Sequence, residues 1–481
     1  MHGEPSRPGG LTSMVTVLKP AATAIAPFMS VLLTEARRTL ALAGPIIVGQ
    51  VSQMLMGVTD SIMIGQVGKV PLAAAAFATT IFNVVFVIGI GLLIPVAVLV
   101  SRARGAGRDA EGAEWLRHGL ALALFYCAAG GLIMLALGSQ LHRFGQPEEV
   151  VAQVPPYYTL ISISLLPVLI YQVLRQFAES MGRAVVPMVV MLASVALNVL
   201  LNWILIYGHW GAPALGLTGA GWATLASRLV SVGALVAWLY QSPSFRANWR
   251  AAKRTGPRRW GGLRRGRFHE MLHLGVPAAG SLLFEAGAFS AAALMMGWLG
   301  ATALAAHQIA LSCAAFTFMF PLGLSMAVSM RLARAVGEER RDSLRPIAQG
   351  AHVLSAGLML GFASVFALGG RQLASGFVQE PEVIALAARL LVVAAIFQLF
   401  DGAQVIGAAT LRALADVKIP TLITGFAYWI VALPVGYFFG VHGIGPIGIW
   451  ASLAAGLAVA AVCLVWRFHR ITAQWVTPAV S

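Results

Sequence analysis

The chain has 481 residues, 58% of them hydrophobic and only 11% charged, against roughly 25% charged in soluble domains. Such a composition excludes a water-soluble globule and requires a bilayer. The formal net charge of +15 admits a nucleic-acid partner on its own, but the placement of the bases argues for membrane topology instead.

From the N-terminus, Leu11 to Leu33 is interrupted by Lys19, Pro20 and Pro27. It reads as a loosely ordered tail (1–40) without a cleavable signal peptide, with Met29 an alternative start. A spanning helix needs about 20 apolar residues. Twelve such segments follow, near 41–64, 73–100, 118–138, 155–178, 186–207, 217–240, 275–298, 302–329, 350–369, 384–409, 420–440 and 446–467. The stretch 241–270 is polar and basic, with Pro243, Pro257 and Gly256, and suits a hinge-like linker. It divides an N-terminal lobe (41–240) from a C-terminal lobe (271–467), and 468–481 forms a C-terminal tail. Pro167, Pro321 and Pro434 fall inside spans, as kinks for packing or as moving hinges.

Of the 33 Lys and Arg residues, 28 fall in the tails, the even-numbered loops or the span ends that border them. Only Lys69, Arg143 and Arg371 occupy odd-numbered loops, while Arg228 and Arg389 lie within spans. The positive-inside rule then places both termini in the cytoplasm. The basic run Arg246 to Arg267 is a topology signal that also touches anionic lipid headgroups, and no nucleic acid is expected. Cys127, Cys313 and Cys463 all lie in spans with no CxxC spacing, which argues against a disulfide framework or zinc site.

Within the spans, three acids stand out: Asp60, Glu285 and Asp401. A carboxylate at mid-membrane costs about 2.5–3.5 kcal/mol, so it must be paired, protonated or hydrated. Glu285 in the seventh span and Asp401 in the tenth are both expected near the midplane of one lobe. Two carboxylates crowded in a poorly hydrated pocket resist ionising together, so the pair can trade a proton for Na⁺ or a cationic ligand. Held instead against a helix backbone, they would be structural. Asp60 comes about four residues before the end of the first span, where water reaches it cheaply. Asn198 and Asn202 share a face of the fifth span, either as glue between helices or as ligands. Thr224 and Arg228 lie one turn apart on the sixth, and Arg228 either pairs with a carboxylate or snorkels to the interface. His307 opens the eighth span as a packing residue.

The two halves repeat. Leu42, Pro45, Gly65, Gly68, Leu72, Ala73 and Ala74 recur 232 residues later as Leu274, Pro277, Gly297, Gly300, Leu304, Ala305 and Ala306. The register holds through Gly91/Gly323, Arg102/Arg334, Gly105/Gly337 and Arg108/Arg340. Six spans per half return the chain to its starting side, so the halves are parallel. The fold expected is an all-α membrane protein of twelve transmembrane helices, in two six-helix lobes related by a pseudo-two-fold axis along the membrane normal. Gln53 occupies the slot of Glu285, and Ala292 that of Asp60, so the chemistry of the halves has diverged. G-x-S-x-G and Walker motifs do not occur. An enzyme is therefore not expected, and an ion gradient is the expected energy source.

The first half reads Pro45-x7-Gln53-x6-Asp60-x4-Gly65-x2-Gly68-x3-Leu72-Ala73-Ala74, and the second LGVPAAGSLLFEAGAF (Leu274 to Phe289), Leu304-Ala305-Ala306-His307-Gln308 and Phe318-Met319-Phe320-Pro321. From about Leu42 to the last span, these segments resemble the multidrug and toxic compound extrusion family, in its NorM-like bacterial branch. The resemblance implies a V-shaped pair of lobes in the bacterial inner membrane. Such a protein exports cationic amphipathic compounds in exchange for Na⁺ or H⁺, as a monomer and without a cofactor. Glu285 matches the seventh-span acid and Asp401, in QLFDGAQ, the tenth-span acid, together a cation (Na⁺) or proton site. Asp60 matches the first-span Asp. Asn198 and Asn202 fall where the family places an N-lobe site, with Thr224 beside it and Gln53 in the same lobe. Some relatives carry Asp at the position of Asn202. The neutral amide here shifts weight towards Glu285 and Asp401. A major-facilitator exporter and a lipid-linked precursor flippase are the alternatives.

Overall fold

In the computed structural model the described residues are 12–254 and 263–476, with side chains described from Ser30. Twelve helices are long and apolar enough to cross a membrane. They are span 1 (Ser30–Gly65), span 2 (Lys69–Gly105), span 3 (Asp109–Gly138), span 4 (Glu148–Ser180), span 5 (Val185–Tyr207) and span 6 (Leu217–Gln241) in the N-terminal half. The C-terminal half holds span 7 (Arg265–Trp298), span 8 (Ala301–Gly337), span 9 (Arg341–Ser375), span 10 (Pro381–Ala413), span 11 (Lys418–Ile444) and span 12 (Pro446–Trp475). Large apolar side chains such as Leu132, Leu135, Leu368 and Val462 point outward, as lipid-facing residues do where the solvent is hydrocarbon.

Two expectations need correction. The tail is not loose up to Leu40: one helix runs from Thr12 to Gly65, because residues 30–40 have a surface to pack on. Glu35 and Thr39 receive hydrogen bonds from Arg331 of span 8. The spans also extend further on the basic face than hydrophobicity shows, so Arg412, outside the tenth span as read above, lies within span 10. Part of the linker, Pro243–Arg254, is helical.

Each half buries its own apolar core, and a third cluster lies where they meet. That third cluster takes Ala43, Ile46 and Ile47 from span 1, Ala97 and Val98 from span 2, and Leu324 to Ala335 from span 8. All come from the span halves nearest the basic face. Small residues let backbones touch there, and the contacts are reciprocal across the repeat. A Cβ on Gly105 would fall 2.1 Å from the Arg334 carbonyl oxygen, and one on Gly337 would fall 2.1 Å from that of Arg102. Gly91 abuts Ala279 and Gly323 abuts Ile47 in the same way. Contacts that exchange repeat mates are what a two-fold axis between parallel halves produces.

Polar straps flank this seam. Arg267 of span 7 reaches Glu111 and Glu114 of span 3 at 3.0 and 3.1 Å and lies over the Trp115 ring. Among the described residues, the hydrogen bonds and ion pairs between lobes lie on the basic side. Towards the other face, Thr80 and Asn83 of span 2 and Gln308 and Ser312 of span 8 remain exposed, which marks a polar cleft between the lobes.

Candidate functional site

Two adjoining cavities occupy the centre. One, of about 380 Å³, lies in the N-lobe between spans 1, 2, 4, 5 and 6. The other, of about 490 Å³, straddles the seam. Gln53, Met54 and Gln172 line both, so they form one chamber. The seam cavity is built from repeat mates: Gln53 faces it with Glu285, Gln172 with Gln404, and Ile90 with Leu322. It therefore sits on the pseudo-two-fold axis, and its scaffold is symmetric where its charge is not.

In the N-lobe, Asp60 is joined to three of the residues singled out above. Its Oδ1 accepts from Asn202 Nδ2 at 2.5 Å, and its Oδ2 from Thr224 Oγ1 at 3.3 Å. Asn202 Nδ2 also donates to Asn198 Oδ1 at 3.3 Å. Helical spacing explains the arrangement: Asn198 and Asn202 are one turn apart, fully buried, and face span 1 together. Arg228 donates to Ser164 Oγ at 2.5 Å and stacks over Phe82 at 5.2 Å. It lies near enough to Asp60 for their charges to interact. Ser164 is available because span 4 breaks there, just ahead of Pro167. Asn198 Nδ2 and Asn202 Oδ1 are buried without protein partners, which leaves unused hydrogen-bonding capacity at the site. Asp60 belongs to this cluster rather than with the C-lobe acids, and Gln53 lines the chamber apart from it. Thr79 and Asn83 of span 2 and Tyr157 of span 4 also line it; being neutral, they gave no signal in the sequence.

In the C-lobe, Glu285 lines the seam cavity, while Asp401 is buried behind it. The two carboxyls are close enough to interact electrostatically, and the Tyr428 hydroxyl lies within range of both. Gln398, one turn before Asp401, has both amide atoms buried without partners, and so has the Tyr428 hydroxyl. Ser355 Oγ, also unpartnered, approaches the backbone beside Asp401, within 2.7 Å of a Cβ built on Gly402. Phe289, one turn from Glu285, packs on Tyr428 and Phe397 and walls the pocket. Span 11 turns from α- to π-helical over Phe426–Ala432, and such wide turns are frequent at functional sites. Orphaned oxygens around two carboxyls fit a hard cation such as Na⁺ or a proton. His307 Nδ1 accepts from Trp450 Nε1 at 3.2 Å, a packing role. Among the described residues no group of three or more His, Cys, Asp or Glu side chains could hold a metal. The three cysteines are free.

The MatE family matches residues 45–204 and 277–438, two segments that begin 232 residues apart. The chain is 37% identical over 452 residues to a probable multidrug resistance protein NorM of Pseudomonas putida, covering 91% of this chain and 96% of that protein. It is 34% identical to the NorM protein of Mesorhizobium japonicum, over 91% and 94% of the two chains. To multidrug resistance protein MdtK of Yersinia pestis it is 34% identical, over 92% and 97%. The fold is similar to that of the Vibrio cholerae MATE transporter VcmN in the bent form (TM-score 0.81, 23% identity, 92% and 98% covered). It is also similar to an outward-facing MATE family transporter (TM-score 0.83, 20% identity, 92% and 97% covered). With family segments in both lobes and relatives matched along nearly their whole length, the chain is a NorM-like member of the MatE family of multi-pass membrane transporters, and not an enzyme.

Proposed function

We propose that the protein is a secondary active exporter of cationic amphipathic compounds, driven by antiport of Na⁺ or H⁺. The observation that carries this reading is a pair of acids on one central chamber, Asp60 in one lobe and Glu285 in the other, with Asp401 buried behind Glu285. The names of the NorM and MdtK relatives support the multidrug part of it, and family membership favours it over the major-facilitator and flippase alternatives. The basic face lies in the cytoplasm with both termini, the membrane is the bacterial inner membrane, and the unit is a monomer working without a cofactor.

The mechanism follows from competition. A carboxyl pair that holds an incoming Na⁺ or proton cannot hold a cationic drug equally well, so entry of the ion displaces the drug. The lobes then rock about the cleft. Transport requires different affinities in the two facing states, because a ligand that binds both equally moves no population.

Reconstituted vesicles loaded with a fluorescent cation test the proposal. A Na⁺ gradient and a pH gradient, imposed separately, identify the driving ion. Efflux is then compared with that of Glu285→Gln and Asp401→Asn. Unimpaired ion-dependent export by both variants would remove the C-lobe pair as the coupling site.

A further inference from the structure

Two bases escape the charge asymmetry that marks the basic face: Arg371 near the end of span 9 and Arg389 in the first third of span 10. The fold brings them together. A Cβ built on Gly370 lies 3.4 Å from the Ala388 carbonyl oxygen and 3.6 Å from the Ala388 Cα. The residues that follow each, Arg371 and Arg389, therefore have Cα atoms no more than about 13 Å apart. Consecutive spans run antiparallel, and one step along a helix turns the side chain by about 100°. From a facing pair on antiparallel helices, that step carries both arginines to the same side of the hairpin. Both are exposed. So are Leu360 and Leu368 of span 9 and Val392 and Ile396 of span 10 on that side, a surface that hydrocarbon covers. Neither arginine has a hydrogen bond or ion pair with a described residue. The nearest acids in sequence, Glu380 and Glu382, are exposed at the loop end of span 10. Glu382 lies seven residues before Arg389, about 10 Å up the helix, where salt water screens charge over about 8 Å.

We infer that Arg371 and Arg389 form a binding site for an anionic phospholipid with two phosphodiester groups, in the leaflet away from the basic face. The site stands independently of what the protein exports. The apolar run of span 9 ends near residue 369, so the contact between Gly370 and Ala388 marks the edge of the hydrocarbon. Both guanidinium groups then lie within reach of the polar layer, about 5–8 Å deep, that holds the lipid phosphates. An arginine at that edge is costly until it meets water or an anion. Its planar fork matches a phosphate with two parallel hydrogen bonds. Two forks on one side favour a lipid whose two phosphodiesters are joined by glycerol over a zwitterionic lipid, whose own cation competes for its phosphate. The other lobe supplies the contrast. Its equivalent hairpin, spans 3 and 4, opens a groove of about 680 Å³ whose lining, with Leu132, Leu135, Thr159 and Ile163, carries no charge. That face fits acyl chains without selecting a headgroup, whereas the C-lobe hairpin adds the selecting charges.

The test uses the full chain in detergent micelles and two probe lipids, tetraoleoyl diphosphatidylglycerol and dioleoylphosphatidylcholine. Native mass spectrometry across a lipid titration gives the Kd of the first bound lipid. Wild type is compared with Arg371→Gln, Arg389→Gln, the double variant, and Arg143→Gln, which removes an exposed base from another loop of the same face. Each single variant at the site is expected to bind diphosphatidylglycerol about 5-fold more weakly, and the double variant at least about 10-fold. Phosphatidylcholine binding, and both lipids with Arg143→Gln, should stay within about 2-fold of wild type, since neither engages the two forks. Retained phosphatidylcholine binding also shows that the variants are folded; if the double variant loses it, the single variants decide. Equal losses for the two lipids, or an unchanged Kd for diphosphatidylglycerol, would overturn the site. So would displacement of that lipid by inorganic phosphate alone, which would mark a site for the free anion.

Discussion

The reciprocal glycines at the seam give the sharpest mechanical prediction. Adding one methyl group at Gly105 places a carbon 2.1 Å from the Arg334 carbonyl oxygen, and Gly337→Ala does the same against Arg102. An ordinary carbon–oxygen contact is about 3.3 Å, so the backbones must part by about 1.2 Å. Backbone cannot swing aside as a flexible side chain can. Overpacking of this kind costs about 2 kcal/mol, charged only to the state in which the lobes touch on the basic side. That is about 30-fold in the balance between this state and one in which they separate. The two sites press on one interface, so their effects will not simply add. Spin labels at Arg108→Cys and Arg340→Cys, exposed repeat mates on either side of the seam, report the gap once Cys127, Cys313 and Cys463 are replaced by Ser. Gly105→Ala with Gly337→Ala should add a longer-distance population to the electron–electron resonance trace and slow efflux. A trace identical to that of the parent protein would show that the seam yields freely, and the argument from contact would fail.

Other expectations follow from the polar contacts. Glu179→Gln should lower the unfolding midpoint in detergent strongly, because it leaves Arg175, 2% exposed and bonded to Glu179 at 2.7 Å, without its counter-charge; such losses run to about 3–5 kcal/mol. Arg175→Met with Glu179→Gln should recover much of that loss, and a single variant as stable as wild type would count against the pair. Glu35→Gln should loosen the strap to Arg331 by about 1–3 kcal/mol, read as a lower midpoint with efflux rates altered in parallel. Asp60→Asn removes the charged acceptor shared by Asn202 and Thr224. Efflux should fall at least about 10-fold, the scale of one charged hydrogen bond, while the unfolding midpoint stays near that of wild type. Tyr428→Phe should leave the fold intact and weaken the response of efflux to the driving ion, since its hydroxyl makes no structural bond; an unchanged ion response would exclude it from the site.

Much of the architecture is legible in the residues. Gly, Pro and Arg matches at a fixed offset mark the duplication, and charge asymmetry between loops marks the basic face. Less legible is anything that depends on span ends. Glu179 and Arg412 look like loop residues because hydropathy falls where helices emerge from the apolar layer, yet the helices continue through both, and Glu179 is buried. The residues around the acids were hidden for another reason. Gln398, Tyr428 and Ser355 are neutral and dispersed over spans 10, 11 and 9, and only packing brings them beside Asp401 and Glu285. The joining of Asp60 to Asn202 spans 142 residues, a pairing that helical periodicity on one span cannot reveal.

The exchange of contacts between Gly105 and Arg334, and between Gly337 and Arg102, has the form of an isologous interface, in which one patch meets its own copy. Two separate six-helix chains would associate through the same surface without a covalent link between them. Co-expressed fragments divided between residues 254 and 263 should therefore find each other in the membrane and regain the docked arrangement of the intact protein.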